Sequence, residues 1–183
     1  PRLMPIAADN PDALAQVLTL ARGADLILTI GGASVGDHDL VRQVAGEKGL
    51  DTAFYKVAMR PGKPLMAGRL GDTPMIGLPG NPVSALVCGQ VFVLPALNVL
   101  HGFPAKAAAR RRAPLAAPLG KNGPREHYMR ARLTDEGLEA FPKQDSGLMR
   151  VLADADVLLV QPPHDGERAT GEVMDYLPLP GRS

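Results

Sequence analysis

Asp25-Leu26-Ile27-Leu28-Thr29-Ile30-Gly31-Gly32-Ala33-Ser34-Val35-Gly36-Asp37-His38-Asp39 decides the fold. Asp25–Ile30 is an apolar run of strand length, expected to be buried on both faces. It breaks at two glycines, and the chain then enters a helical pattern over Asp37–Lys48, with Leu40, Val41 and Val44 facing inward. Upstream, Leu3–Ala7 reads as a strand. Asp9-Asn10-Pro11 then starts a helix with a capping side chain and proline in the first turn. Leu14, Val17, Leu18 and Ala21 recur at helical spacing, and Gly23 ends the helix. Strand, helix and strand in that order predict a right-handed parallel crossover.

The same grammar repeats downstream. Ala53–Ala58 reads as a strand leading to Arg60-Pro61-Gly62-Lys63-Pro64. Gly68–Pro74 reads as a hairpin-type connection. Met75–Leu78 is a strand leading to Pro79-Gly80-Asn81-Pro82, where Asn81 caps a long apolar helix, Pro82–Leu100. Pro95 is expected to kink that helix, because it removes an internal hydrogen bond. After Gly102-Phe103-Pro104 comes a small, basic stretch with Lys106, Arg110, Arg111 and Arg112. Short strands between turns follow: 113–119, 127–133, 137–141, 157–161 and 171–177, with a short helix over 147–153. The boundary therefore falls near residue 104, with an α/β domain before it and a small all-β barrel or sandwich after it.

Composition narrows the function classes. The chain has 183 residues and a net charge of +1, so bulk attraction to nucleic acid is not supported. The single cysteine, Cys88, excludes an internal disulfide framework and reads as a buried, inert thiol. The most apolar stretch, 83–100, is interrupted by Ser84, Gly89, Gln90, Pro95 and Asn98, which speaks against a membrane span, and no targeting segment is visible. A cytoplasmic setting is the resulting expectation. The opening Pro1-Arg2-Leu3-Met4 reads as a strand already under way, as in a piece of a longer protein.

In an open α/β sheet, loops leaving the carboxyl ends of strands collect along the edge where ligands bind. Gly31 and Gly32 allow close backbone approach to a ligand, and the start of the following helix favours an anion. Asp37 and Asp39 do not share a helix face, so one of them is a candidate ligand for a divalent cation. If extended, the chain would place Lys56 and Arg60 on one face, with Lys63 past the turn. Arginine offers forked contacts to phosphate and lysine a compact charge. Gly32-Ala33-Ser34-Val35-Gly36 also fits the G-x-S-x-G elbow of serine hydrolases. That reading needs a downstream acid and then a histidine, and His101, His127 and His164 offer no convincing partner.

Taken in order and spacing, Gly31–Asp39, Lys56–Pro64 and Leu78–Ala85 closely resemble the third domain of molybdopterin molybdenumtransferases, the bacterial MoeA proteins and the matching part of gephyrin. Arg125-Glu126-His127-Tyr128-Met129-Arg130 and Asp145-Ser146-Gly147 resemble, less specifically, the fourth domain of that family. The resemblance implies an α/β fold: a three-layer, parallel-sheet molybdopterin-binding-like domain over 1–103, then a β domain over 104–183. It also implies insertion of molybdate into adenylated molybdopterin, with release of AMP and a requirement for Mg2+. Carried over by position, it makes Asp39, Lys56 and Arg60 the catalytic residues, with Asp39 also the metal ligand. Gly32, Ser34, Lys63, Pro79, Asn81, Pro82, Asp9, Arg130 and Ser146 would bind substrate. It further implies a homodimer and a transient contact with the molybdopterin adenylyltransferase. Family members begin with two further domains and a Thr-Gly-Asp-Glu-like strand that have no counterpart here. The runners-up are a non-catalytic, adenylyltransferase-like or competence-damage-like molybdopterin-binding domain, and a gephyrin-like scaffold.

Overall fold

The computed structural model describes residues 1–32 and 40–181, which form two compact units. The first comprises Pro1–Val57 and Gly62–Gly80; the second comprises Ala58–Pro61 and the chain from Asn81 onward.

The first unit is built on helix α1 (Pro11–Leu20), strand β1 (Ile27–Ile30), helix α2 (Leu40–Glu47) and strands β2 (Leu50–Tyr55), β4 (Met66–Leu70) and β5 (Thr73–Leu78). Asn10 caps α1, its side chain accepting from Ala13 N–H at 2.9 Å, with Pro11 in the first turn. The strand order is β1-β5-β4-β2. β1 runs parallel to β5, but β4 is antiparallel to both of its neighbours. The sheet is thus mixed rather than wholly parallel. The reason is local: Gly71-Asp72 closes a tight β4–β5 hairpin within the expected 68–74 connection. Leu18, Ala21, Ile27, Val41, Val44, Ala45, Met66 and Met75 form the core.

Three expectations for this unit need correction. Leu3–Ala7 forms no strand, and Leu3 and Ile6 are exposed. β1 pairs only with β5 among the described strands, and Leu28 and Ile30 are 44% and 70% exposed, so it is not covered on both faces. β2 starts earlier than expected and stops at Tyr55, because Lys56 adopts φ 69°, which ends an extended run.

The second unit contains a six-stranded sheet: β3 (Met59–Arg60), β6 (Arg111–Pro114), β7 (Glu126–Thr134), β8 (Gly137–Ala140), β9 (Val157–Gln161) and β10 (Val173–Pro178). The order is β3-β7-β9-β10-β6, with β8 on β7, and the described strands do not close into a barrel. Its core is Leu115, Met129, Ala131, Leu138, Val157, Leu159, Met174 and Tyr176. A short helix, α5, spans Met149–Ala153.

Ahead of the sheet runs the long helix, as α3 (Pro82–Cys88), a π-helical turn (Gly89–Val93) and α4 (Leu94–Leu100). The π turn answers Pro95. Leu94 N–H reaches back to Gly89 C=O, and the wider turn absorbs the ring that an α-helix would set against a carbonyl. Val83, Val87 and Cys88 are buried, whereas α4 buries no residue, so only the first half is central. By length and composition alone, 82–100 is apolar enough to cross a membrane, a test that core helices also pass. Here it packs as part of the unit, with Gln90 Nε2–H donating to Pro178 C=O at 3.1 Å.

Candidate functional site

In the first unit, topology gathers the expected loops at one sheet edge. β1, β5 and β2 all point their carboxyl ends there, and β4 starts there. Gly31 N–H donates to Leu78 C=O at 3.1 Å and extends the β1–β5 ladder into the loops. A Cβ on Gly80 would lie 3.2 Å from the Gly31 Cα. The two backbones therefore approach closely at Gly31 and Gly80. Gly32 has φ 73°, and a Cβ there would lie 2.3 Å from Val41 Cγ2, so both conformation and space call for glycine. At the same edge, Lys56 N–H bonds Leu65 C=O at 2.9 Å, and Val57 N–H bonds Lys63 C=O at 3.1 Å. These bonds form the stem of the cationic loop, with Lys56 and Lys63 on its two sides. Lys56 Nζ and the Arg42 guanidinium both lie over the Tyr55 ring, at 4.9 and 4.6 Å.

Arg60 departs from expectation. It is not on an extended face with Lys56, because the chain turns at Lys56 and Met59–Arg60 joins the sheet of the second unit. Arg60 Nη2–H donates to Asn122 Oδ1 at 3.0 Å. Asn122 is itself fixed, donating to the carbonyls of Arg125, Gln161 and Pro162 and accepting from Gly123 N–H. Register then sets Arg60 beside His127, and His127 beside Gln161, in one row across β3, β7 and β9. The Nε of Arg60 and the Nδ1 of His127 are buried with no hydrogen-bond partner. Burial, reinforced by Arg60, Arg130 and Arg125, pushes the His127 imidazole down to about 3. Burial, and then Arg125, also lowers the Arg60 guanidinium below its usual range.

Arg130 is fully buried. Its Nη2–H donates to Asp145 C=O at 2.9 Å, while Nε and Nη1 have no partner. Burial lowers its affinity for a proton, opposed by nearby Asp145. Gln144 clamps the same strand position, accepting from Arg130 N–H and donating to Arg130 C=O, both at 2.9 Å. The loop carrying Ser146 is thus tied directly to Arg130.

The other sequence candidates take simpler roles. Asn81 Oδ1 accepts from Ser84 N–H at 3.1 Å and caps α3, with Pro82 in the first turn. Asp9 is exposed just ahead of α1. Ser34, His38, Asp37 and Asp39 lie outside the described residues, so the metal-ligand and nucleophile assignments fall there too. Among the described residues, no group of three or more His, Cys, Asp or Glu side chains could hold a metal ion. His127, held at about 3, is poorly suited to be the base of a serine hydrolase. Burial pushes the Cys88 thiol up to about 12, in keeping with an inert core residue.

The grouping of His127, Asn122 and Gln161 around Arg60 was not legible in the sequence. It depends on cross-strand register among residues far apart in sequence.

Comparison with known proteins places these features. Residues 2–99 match the family described as "Probable molybdopterin binding domain", and residues 112–179 match "MoeA C-terminal region (domain IV)". Molybdopterin molybdenumtransferase 2 of Mycobacterium tuberculosis (strain CDC 1551 / Oshkosh) is 39% identical over 155 residues, covering 81% of this chain and 38% of its own length. The molybdopterin molybdenumtransferase of Nostoc sp. is 34% identical over 194 residues, covering 98% of this chain and 44% of its own. The chain thus spans about two fifths of these relatives. The crystal structure of a molybdopterin biosynthesis MoeA protein from Pyrococcus horikosii superposes with a TM-score of 0.78 at 26% identity, over 96% of this chain and 42% of that one. The fully buried Arg130, the glycine contacts at the sheet edge and the lysine-flanked loop therefore sit in a chain that belongs to the molybdopterin-binding domain family and carries the MoeA C-terminal region behind that domain.

Proposed function

We propose that this chain is the later portion of a molybdopterin molybdenumtransferase, which inserts molybdate into the dithiolene of adenylated molybdopterin and releases AMP. The observation that carries the reading is Arg130, a fully buried cation whose Nε and Nη1 have no partner. A buried guanidinium with unused donors is suited to an anion bearing several oxygens.

In this reading Arg130, with Ser146 on the loop tied to it, holds an oxyanion on one face of the sheet, and Arg60, beside His127 on the other face, is a separate anion contact. Lys56 and Lys63 meet phosphate oxygens as compact charges. As AMP leaves, negative charge grows on its phosphate, and fixed cations stabilise that charge without reorganising. By position, Gly32, Pro79, Ser34, Asn81, Pro82 and Asp9 are the further substrate contacts of this reading. Asp39 would hold Mg2+, which supplies charge neutralisation on phosphate oxygens when bound. The same reading includes a homodimer, hand-over of substrate from the adenylyltransferase, a cytoplasmic setting and a domain division at residues 103–104.

Calorimetric titration of adenylated molybdopterin with Mg2+ into the chain and into Arg130→Gln tests it. Loss of one charge-assisted donor set is expected to weaken binding by about tenfold or more. Equal affinity for the two proteins, each folded by circular dichroism, would remove Arg130 from the site and with it the main support for the reading.

A further inference from the structure

We propose that His127 is a positioning residue for Arg60: its imidazole accepts from Arg60 Nε–H and fixes the orientation in which the guanidinium meets an oxyanion. The inference rests on the reading of Arg60 as an anion-binding residue.

The argument begins with register. β3 and β7 pair Arg60 with His127 directly, and side chains of directly paired residues stand on the same face of a sheet. One side of the guanidinium is already fixed, through Nη2–H to Asn122 Oδ1 at 3.0 Å. The other side, Nε–H, is buried and unpartnered, and so is the facing residue's Nδ1. Arginine can only donate, whereas a neutral imidazole has one nitrogen that accepts. Pairing the two would satisfy both atoms. Gln161, the next residue in the row, has its amide donors engaged elsewhere, by Gly120 C=O at 2.8 Å and the Asp165 carboxylate. His127 is 7% exposed and has Arg60, Arg125 and Arg130 around it, so the uncharged, accepting form is the one these surroundings favour.

The required tautomer carries its proton on Nε2 and leaves Nδ1 bare. Long-range proton–nitrogen correlation NMR on the 183-residue chain at pH 7 reads this directly, without a mutation. An Nε2–H tautomer is expected; an Nδ1–H tautomer would make both facing atoms donors and overturn the proposal. In the same sample, one arginine Nε–H protected from exchange should vanish in Arg60→Lys. It should lose protection in His127→Leu and keep it in His127→Gln, which retains an acceptor. Unchanged protection in a folded His127→Leu protein would also overturn it.

Titration with sodium molybdate separates this idea from the reading beneath it. His127→Leu is expected to weaken binding about tenfold and His127→Gln about threefold or less. The double variant with Arg60→Lys should bind no more weakly than Arg60→Lys alone, since one residue acts through the other. A wild-type chain that shows the tautomer and the protected Nε–H but binds no molybdate would leave the positioning role standing and refute the anion role of Arg60.

Discussion

At the scale of single residues, the buried cations and the histidine among them set how the protein responds to acid. His127 is neutral when folded and titrates at about 3, but once the chain unfolds it takes up a proton near its ordinary value of about 6.5. Its burial therefore carries no penalty above that value. As pH falls below it, stability is lost progressively, at up to about 1.4 kcal/mol per pH unit, until about pH 3. Urea midpoints measured between pH 7 and pH 4.5 should fall more steeply for wild type than for His127→Gln; parallel slopes would assign the acid sensitivity elsewhere. Glycine positions behave differently. Gly32→Ala brings a Cβ to 2.3 Å from Val41 Cγ2 at φ 73°, whereas Gly102→Ala, at φ 85°, meets nothing within 4 Å. The first should lose about 2 kcal/mol or more and the second about 1 kcal/mol, since only the backbone term applies there. Chemical denaturation of the two variants compares them directly.

At the scale of elements, local chemistry was readable where it was self-contained. Asn10-Pro11 and Asn81-Pro82 start helices as their sequences indicate, each with the asparagine oxygen accepting from the N–H three residues ahead. Replacing either asparagine by alanine should cost about 1 kcal/mol in thermal or urea unfolding. The glycine loops at the ends of β1 and β5 were also legible, because a strand, a glycine turn and a helix follow one another without help from distant residues. What could not be read was set at long range. An apolar run such as Asp25–Ile30 looks fully buried, but burial depends on which strands flank it, and β1 is flanked on one side only among the described strands. Lys56 looked like one residue in an extended row, yet its φ of 69° redirects the chain and separates it from Arg60. Pro95 announced a distortion, but its form, a π turn rather than a simple kink, follows from the backbone's need to keep Leu94 N–H bonded.

At the scale of the whole molecule, the chain passes between the two units three times, because Ala58–Pro61 belongs with the second unit while its flanks belong with the first. Glu126 N–H bonds Ala58 C=O at 2.9 Å, and Met59 is almost wholly buried. The Arg60 amide, the one N–H that this parallel pairing aims at β7, should therefore exchange with deuterium in step with the amides of β7, not with those of β2 and β4. Exchange of the Arg60 amide at loop rates would contradict the pairing. A practical consequence concerns excision. A boundary near residue 104 looks like a natural place to cut, but a polypeptide starting there would leave β3 behind. Glu126 would lose its acceptor, and β7 would present an uncapped margin to solvent, a surface on which other chains can add as extra strands. Such an excised piece would tend to self-associate, and supplying the Ala58–Pro61 stitch as a separate peptide or a short genetic graft should restore its solubility.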